Sequence, residues 1–169
     1  AGIDELDIAS ALDEHLADLD TTRPLLLVYN SNALHQPFQT QSEDHPLPSM
    51  QGTDYERALQ VVDEAMRELF DALSRHRADH AQVVVMTADH GERPNPTHRV
   101  PRVESLYDEF THIPIFWRIP EEMQTRTFEE TLTHHNTSNL DILPTLLSLM
   151  GYDVANLPFE FDGVDLRHH

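Results

Sequence analysis

The chain of 169 residues contains no cysteine and no lysine, and its 11 basic side chains are all arginine. Without thiols there are no disulfides and no thiolate metal sites, while the redox state of the compartment stays open. A metal would have to be held by imidazole and carboxylate, and the chain offers 12 His and 30 Asp and Glu. No apolar run approaches the ~18 to 20 residues that cross a bilayer, and no basic-then-apolar leader precedes the first helix-like stretch. The expectation is a chain that is soluble by itself. The net charge of -19 disfavours nucleic acid as a partner, because phosphate backbones attract basic surfaces and this one repels them. That acidity reads first as a solvated surface of the kind salt-adapted proteins carry, and second as a face that gathers cations. An anionic substrate would need a metal or local imidazole and guanidinium groups to hold it against that field.

What is present bounds the fold. The length and 39% apolar content predict a single domain over residues 1–169 with a real core. Ile3, Leu6, Leu12, Leu16 and Leu19 recur at near-helical intervals, which predicts an amphipathic helix over 3–19. "RPLLLVYN" (23–30) reads as a buried strand, and 31–52, with its prolines and weak periodicity, as a long loop. Leu59, Val62, Met66, Leu69, Phe70 and Leu73 predict a helix over 55–76. "AQVVVMTA" (81–88) and "IPIFWRIP" (113–120) read as further strands, with Trp117 in the core, and "NLDILPTLLSLMG" (139–151) as a helix. In that helix Asp141 is the expected N-cap, Pro144 sits in the first turn and Gly151 ends it. Helix-length connections between strands imply parallel pairing, hence a layered α/β/α architecture with a mainly parallel sheet. Residues 152–169 form a weakly patterned tail that either wraps over the domain or frays.

The chemistry gathers where the strand of 81–88 stops. Asp89, His90, Gly91 and Glu92 follow an apolar run, and in open α/β sheets ligands collect beyond the carboxyl ends of strands. Neighbouring strand residues face opposite ways, so Asp89 and His90 can share one ion only if the chain leaves β geometry there, which Gly91 makes inexpensive. A carboxylate with a neutral imidazole suits zinc or manganese, and a set richer in carboxylates suits calcium or magnesium. The bland alternative is that Asp89 caps a turn and His90 is an ordinary loop histidine.

"MTADHGE" resembles the "SDHGE" metal motif of the alkaline phosphatase superfamily, in its sulfatase and lipid phosphoethanolamine or phosphoglycerol transferase branches. "RPLLLVYNSNALHQPF", "YERALQVVDEAMRELFDAL", "LYDEFTHIPIFWRIP" and "TSNLDILPTLLSLMGY" resemble that family's other motifs in the correct order, from about residue 23 to 152. The resemblance implies that Asp89 and His90 are metal ligands and that His35 stands beside the substrate phosphate or sulfate, with His98 a second candidate for that role. It also implies an alkaline-phosphatase-like fold of which this chain is the carboxy-terminal part. The nucleophile, a metal-activated threonine or serine or a modified cysteine, and further acidic ligands would lie in an amino-terminal half not recognisable here. That half is thus an expected partner, the place is expected to be extracytoplasmic, and any membrane anchoring would come through the absent half.

The resulting expectation is part of a metal-dependent phosphotransferase or hydrolase acting on phosphate esters, itself inert. Sulfatases generally place a sulfate-binding lysine after the metal motif, and the absence of lysine ranks a sulfatase second, although His98 or Arg99 could substitute. A non-catalytic sulfatase-like binding or regulatory domain is the third reading. Arg99 and Arg102 read as solubilising charge, and His134 and His135 as an exposed loop.

Overall fold

The computed structural model describes residues 5–39, 51–78, 80–91 and 107–168. Residues 1–80 and 81–169 form two compact units.

The first unit is a helix pair. Helix α1 (Glu5–Asp18) buries Leu6 and Leu16, as its periodicity predicts. Helix α2 (Asp54–Arg77) starts at a capping box, in which Glu56 N–H donates to Thr53 Oγ1 and Thr53 N–H donates back to the Glu56 carboxylate. That reciprocal pair satisfies two N–H groups left over at a helix start. The buried stripe of α2 is Ala58, Val61, Ala65, Leu69 and Ala72, one step round from the larger apolar residues. Small side chains let helix backbones approach closely, so alanine faces the neighbour, while Leu59 is 42% exposed. Arg77 is buried at the end of α2 and donates to the carbonyls of Arg23 (3.1 Å) and Asp20 (3.2 Å). It thereby ties the turn after α1 to α2.

The strand expected over 23–30 is not formed. A strand exists through the ladder to its neighbour, and among the described residues the sheet consists of two other strands alone. The apolar side chains of that run are therefore left exposed, Val28 to 82%.

The second unit holds that sheet. Strand β1 (Val84–Thr87) pairs with β2 (Ile115–Arg118) in register Val84 to Arg118 and Thr87 to Ile115. The pairing is antiparallel, which corrects the parallel pairing expected from helix-length connections. Here the chain re-enters through a four-residue helix, α3 (Asp108–Thr111), which immediately precedes β2 and is too short to cover a sheet face. Nor is β1 fully buried, since Met86 and Phe116 on paired positions are 50% and 57% exposed. Trp117 does pack inward, edge-on to the buried Phe128 of α4 (Arg126–His134) at 5.6 Å.

The predicted helix over 139–151 is a 3-10 turn (Asn139–Asp141) running into α5 (Ile142–Leu149). Asp141 occupies the N-cap position of α5, but its side chain caps none of the helix N–H groups. Its buried carboxylate instead accepts from Ser138 N (2.8 Å) and Val164 N (2.9 Å). The tail therefore wraps rather than frays. Leu166 is buried and its N–H donates to Thr145 Oγ1 at 3.0 Å, while Arg167 donates to the Ser148 carbonyl at 2.8 Å. Gly151, at φ 90°, ends the helix in the left-handed conformation expected of it. His134 and His135 are exposed, as expected, although they close helix α4 rather than lie in a loop.

Candidate functional site

β1 ends at Thr87, and the next three residues leave the sheet. Asn139 holds that exit: its amide donates to the Ala88 carbonyl at 2.8 Å and accepts from Thr87 Oγ1 at 2.9 Å. No periodicity marks this link, which joins residues more than fifty positions apart.

Asp89 then turns the chain on itself, its Oδ1 accepting the His90 N–H at 3.0 Å. That contact occupies one carboxylate oxygen. The other, Oδ2, lies 3.6 Å from His90 Nε2. His90 Nδ1 sits 2.7 Å from the Gly91 carbonyl. A carbonyl only accepts, so Nδ1 carries the hydrogen and Nε2 of the neutral ring carries the lone pair.

Two ligands held at about 2.0 to 2.2 Å from one cation under a tetrahedral angle are roughly 3.3 to 3.6 Å apart. The pair therefore fits a divalent cation as two of its ligands. Among the described residues no group of three or more histidine or acidic side chains completes such a site. The side chain of Asp89 is 88% exposed and that of His90 34%, so the pair faces outward from the strand end, where an ion can reach it.

Gly91 is needed for a reason other than the expected backbone freedom. Its N–H donates to the Phe110 carbonyl at 2.9 Å, and a Cβ there would lie 1.8 Å from the Glu109 carbonyl oxygen. Gly91 is thus pressed against the backbone of α3.

His35 lies in the first unit, and its loop is held at both ends. Its N–H donates to the Asn32 carbonyl at 3.0 Å, and Nδ1 is 2.7 Å from the Gln36 carbonyl, which again leaves Nε2 as the lone-pair nitrogen. Phe38 packs edge-on against Tyr55 of α2 at 5.6 Å. On the other side the buried carboxylate of Glu5 accepts from Ser31, Asn32 and Ala33, and from the Tyr29 hydroxyl. Burial, and then the Glu5 carboxylate, raise the Tyr29 pKa above its ordinary range, so the phenol stays protonated and donates. An acid in the first turn of a helix reads locally as a complement to the helix dipole. Nothing in that pattern points to a loop 24 to 28 positions later. His98, Arg99 and Arg102 lie outside the described residues.

The strand end thus presents an acid and an imidazole, followed by a glycine under tight backbone contact. The sulfatase family model matches residues 5–152, and the chain belongs to the sulfatase family. That membership gives it an alkaline-phosphatase-like α/β fold, in a family that generally uses a divalent metal. An endo-4-O-sulfatase of Bacteroides thetaiotaomicron is 27% identical over 168 residues, covering 85% of this chain and 32% of the relative. A Delta 4,5-hexuronate-2-O-sulfatase of the same organism is 30% identical over 113 residues, covering 66% of this chain and 22% of the relative. The chain thus spans about a third or less of the length of these relatives. No solved structure matches it.

Proposed function

We propose that the chain is the carboxy-terminal part of the catalytic domain of a sulfuric ester hydrolase. Asp89 and His90 are two ligands of a divalent metal, and His35 stands beside the sulfate, with His98 a second candidate for that place. The observation that carries this reading is the family match across residues 5–152, which takes in all four. Both relatives carry sulfatase names, and a sulfate ester therefore replaces the phosphate ester ranked first from the sequence.

A bound metal supplies positive charge against the developing negative charge of the transferring group and lowers the pKa of a nucleophile beside it. Zinc or manganese suits the mixed pair of Asp89 and His90, and calcium or magnesium suits a set completed by further carboxylates. His90 contributes Nε2, with Nδ1 anchored on the Gly91 carbonyl. His35 keeps its own Nε2, which once protonated donates to a sulfate oxygen or delivers its proton to the departing alkoxide. The nucleophile and the remaining ligands belong to an amino-terminal part. In the whole domain residues 24–30 form a further strand, a reading supported by their exposed apolar side chains. The protein acts outside the cytoplasm, and any membrane anchor lies in the amino-terminal part; among the described residues no helix is long and apolar enough to cross a membrane.

The absence of lysine favours a second reading, phosphate-ester transfer or hydrolysis. The full-length protein assayed on p-nitrophenyl sulfate and p-nitrophenyl phosphate, with zinc, manganese, calcium or magnesium added, separates the two. Sulfate turnover is expected to dominate. Phosphate turnover ahead by ~10-fold or more, equivalent to ~1.4 kcal/mol in transition-state binding, reverses the assignment. A sulfated hexuronate, the substrate class in one relative's name, is the natural substrate to assay next.

A further inference from the structure

We infer that Glu5 is a positioning residue for His35: its buried carboxylate gathers residues 29–33 and so fixes where the imidazole stands. The inference rests on the reading of His35 given above. Glu5 is 2% exposed, and Oε1 accepts from Asn32 N (2.7 Å), Ala33 N (3.0 Å) and Ser31 Oγ (3.1 Å). Oε2 accepts from the Tyr29 hydroxyl. An acid is a poor choice for packing a helix onto a loop, because a buried carboxylate is costly unless its lone pairs are met. Here both oxygens are met, and hydrogen bonds to a charged acceptor are about twice as strong as neutral ones.

The groups so gathered are those that close the turn around His35. The Asn32 carbonyl takes the His35 N–H, and the Ala33 carbonyl takes the Gln39 N–H at 2.9 Å. One carboxylate on α1 therefore orients the peptide units that in turn hold the backbone of His35. A displacement of about 1 Å in a positioned group is enough to lower a catalysed rate by orders of magnitude.

Two measurements test this. In this chain, Glu5→Ala should speed amide exchange of Asn32 and Ala33 by about 10-fold or more and move the His35 ring resonances, while Glu5→Gln, which keeps one acceptor oxygen, should restore most of the protection. In the full-length protein with p-nitrophenyl sulfate, Glu5→Ala should lower kcat/KM by about 10-fold in the wild-type background and by less than about 2-fold in a His35→Ala background, because two residues acting as one unit are not additive. Equal losses in both backgrounds, or unchanged exchange at Asn32 and Ala33, overturn the inference. If His35→Ala leaves turnover intact while Glu5→Ala still loosens the loop, the clamp stands and the role given to His35 falls. Should Glu5→Ala fail to fold, Glu5→Gln and Tyr29→Phe carry the same comparison, with smaller losses expected in the same order.

Discussion

At Gly91 the chain has room for a hydrogen and nothing larger, since the space a methyl would take is 1.8 Å from a backbone oxygen of α3. Backbone cannot rotate aside as the end of a side chain can, so Gly91→Ala should destabilise by about 1 to 3 kcal/mol, the range for overpacked sites. Denaturant unfolding of this chain checks it, and an unchanged midpoint would mean that α3 yields. Asp89 and His90 depend on that loop differently. Asp89→Ala removes an oxygen that faces the His90 Nε2 and one that accepts the His90 N–H, whereas His90→Ala removes the imidazole together with its hydrogen bond to the Gly91 carbonyl. Both should lower zinc or manganese affinity of the full-length protein by more than ~10-fold in a metal titration. Equal affinity in the wild-type protein and both variants would remove the pair from the metal site.

Among the elements, the tail is fixed by polar contacts as well as by the burial of Leu166. Asp141 joins the turn before α5 to Val164 through two backbone N–H groups, and Gly163 lies where a Cβ would sit 2.2 Å from the Leu140 carbonyl oxygen. Asp141→Ala leaves two partly buried N–H groups without acceptors and should cost about 2 kcal/mol or more. Accelerated proteolysis within residues 152–168 would accompany that loss. The long helices α1 and α2 were legible because each carries its own periodicity, whereas α3 and α4 were not, being short and α4 ending in a stretch read as loop. The strands were legible only as apolar runs. Which run finds a partner, and in which direction, depends on residues distant in sequence: β1 and β2 pair antiparallel, and residues 23–30 do not pair. At the site, the position of Asp89 and His90 just beyond the end of a strand was legible from the apolar run that stops there. The Glu5 clamp and the Asn139 link were not, because each joins distant segments through a single polar side chain of an unremarkable type.

For the molecule as a whole, charge decides how stability responds to solution conditions. With a net charge of -19, like charges repel across the folded surface, and added salt should raise the Tm by screening them. Lowering the pH from 8 toward the isoelectric point near 4.7 should act in the same direction, as the net charge shrinks. A second set of groups works against acid. Arg75 and His76 hold the Asp13 carboxyl below its ordinary range, Thr22 does so for Asp20, Thr53 for Glu56, and Arg67 for Glu64. A carboxyl whose folded pKa is depressed contributes stability that is present above its unfolded pKa and lost as pH falls through the folded one. These contributions therefore survive down to about pH 4 and disappear below it. The Tm of this chain is expected to rise on acidification to a maximum near pH 5 and to fall below about pH 4, with the rise largely abolished in 1 M salt and the fall retained. A Tm that declines steadily from pH 8 would show that repulsion among the acids is not what limits stability. Asp13→Asn then separates the two effects, since it lowers the net charge while removing the carboxylate charge that strengthens the link from α1 to Arg75 and His76. Its Tm deficit should be largest at neutral pH and should vanish below about pH 4, where Asp13 is itself protonated in the wild-type chain.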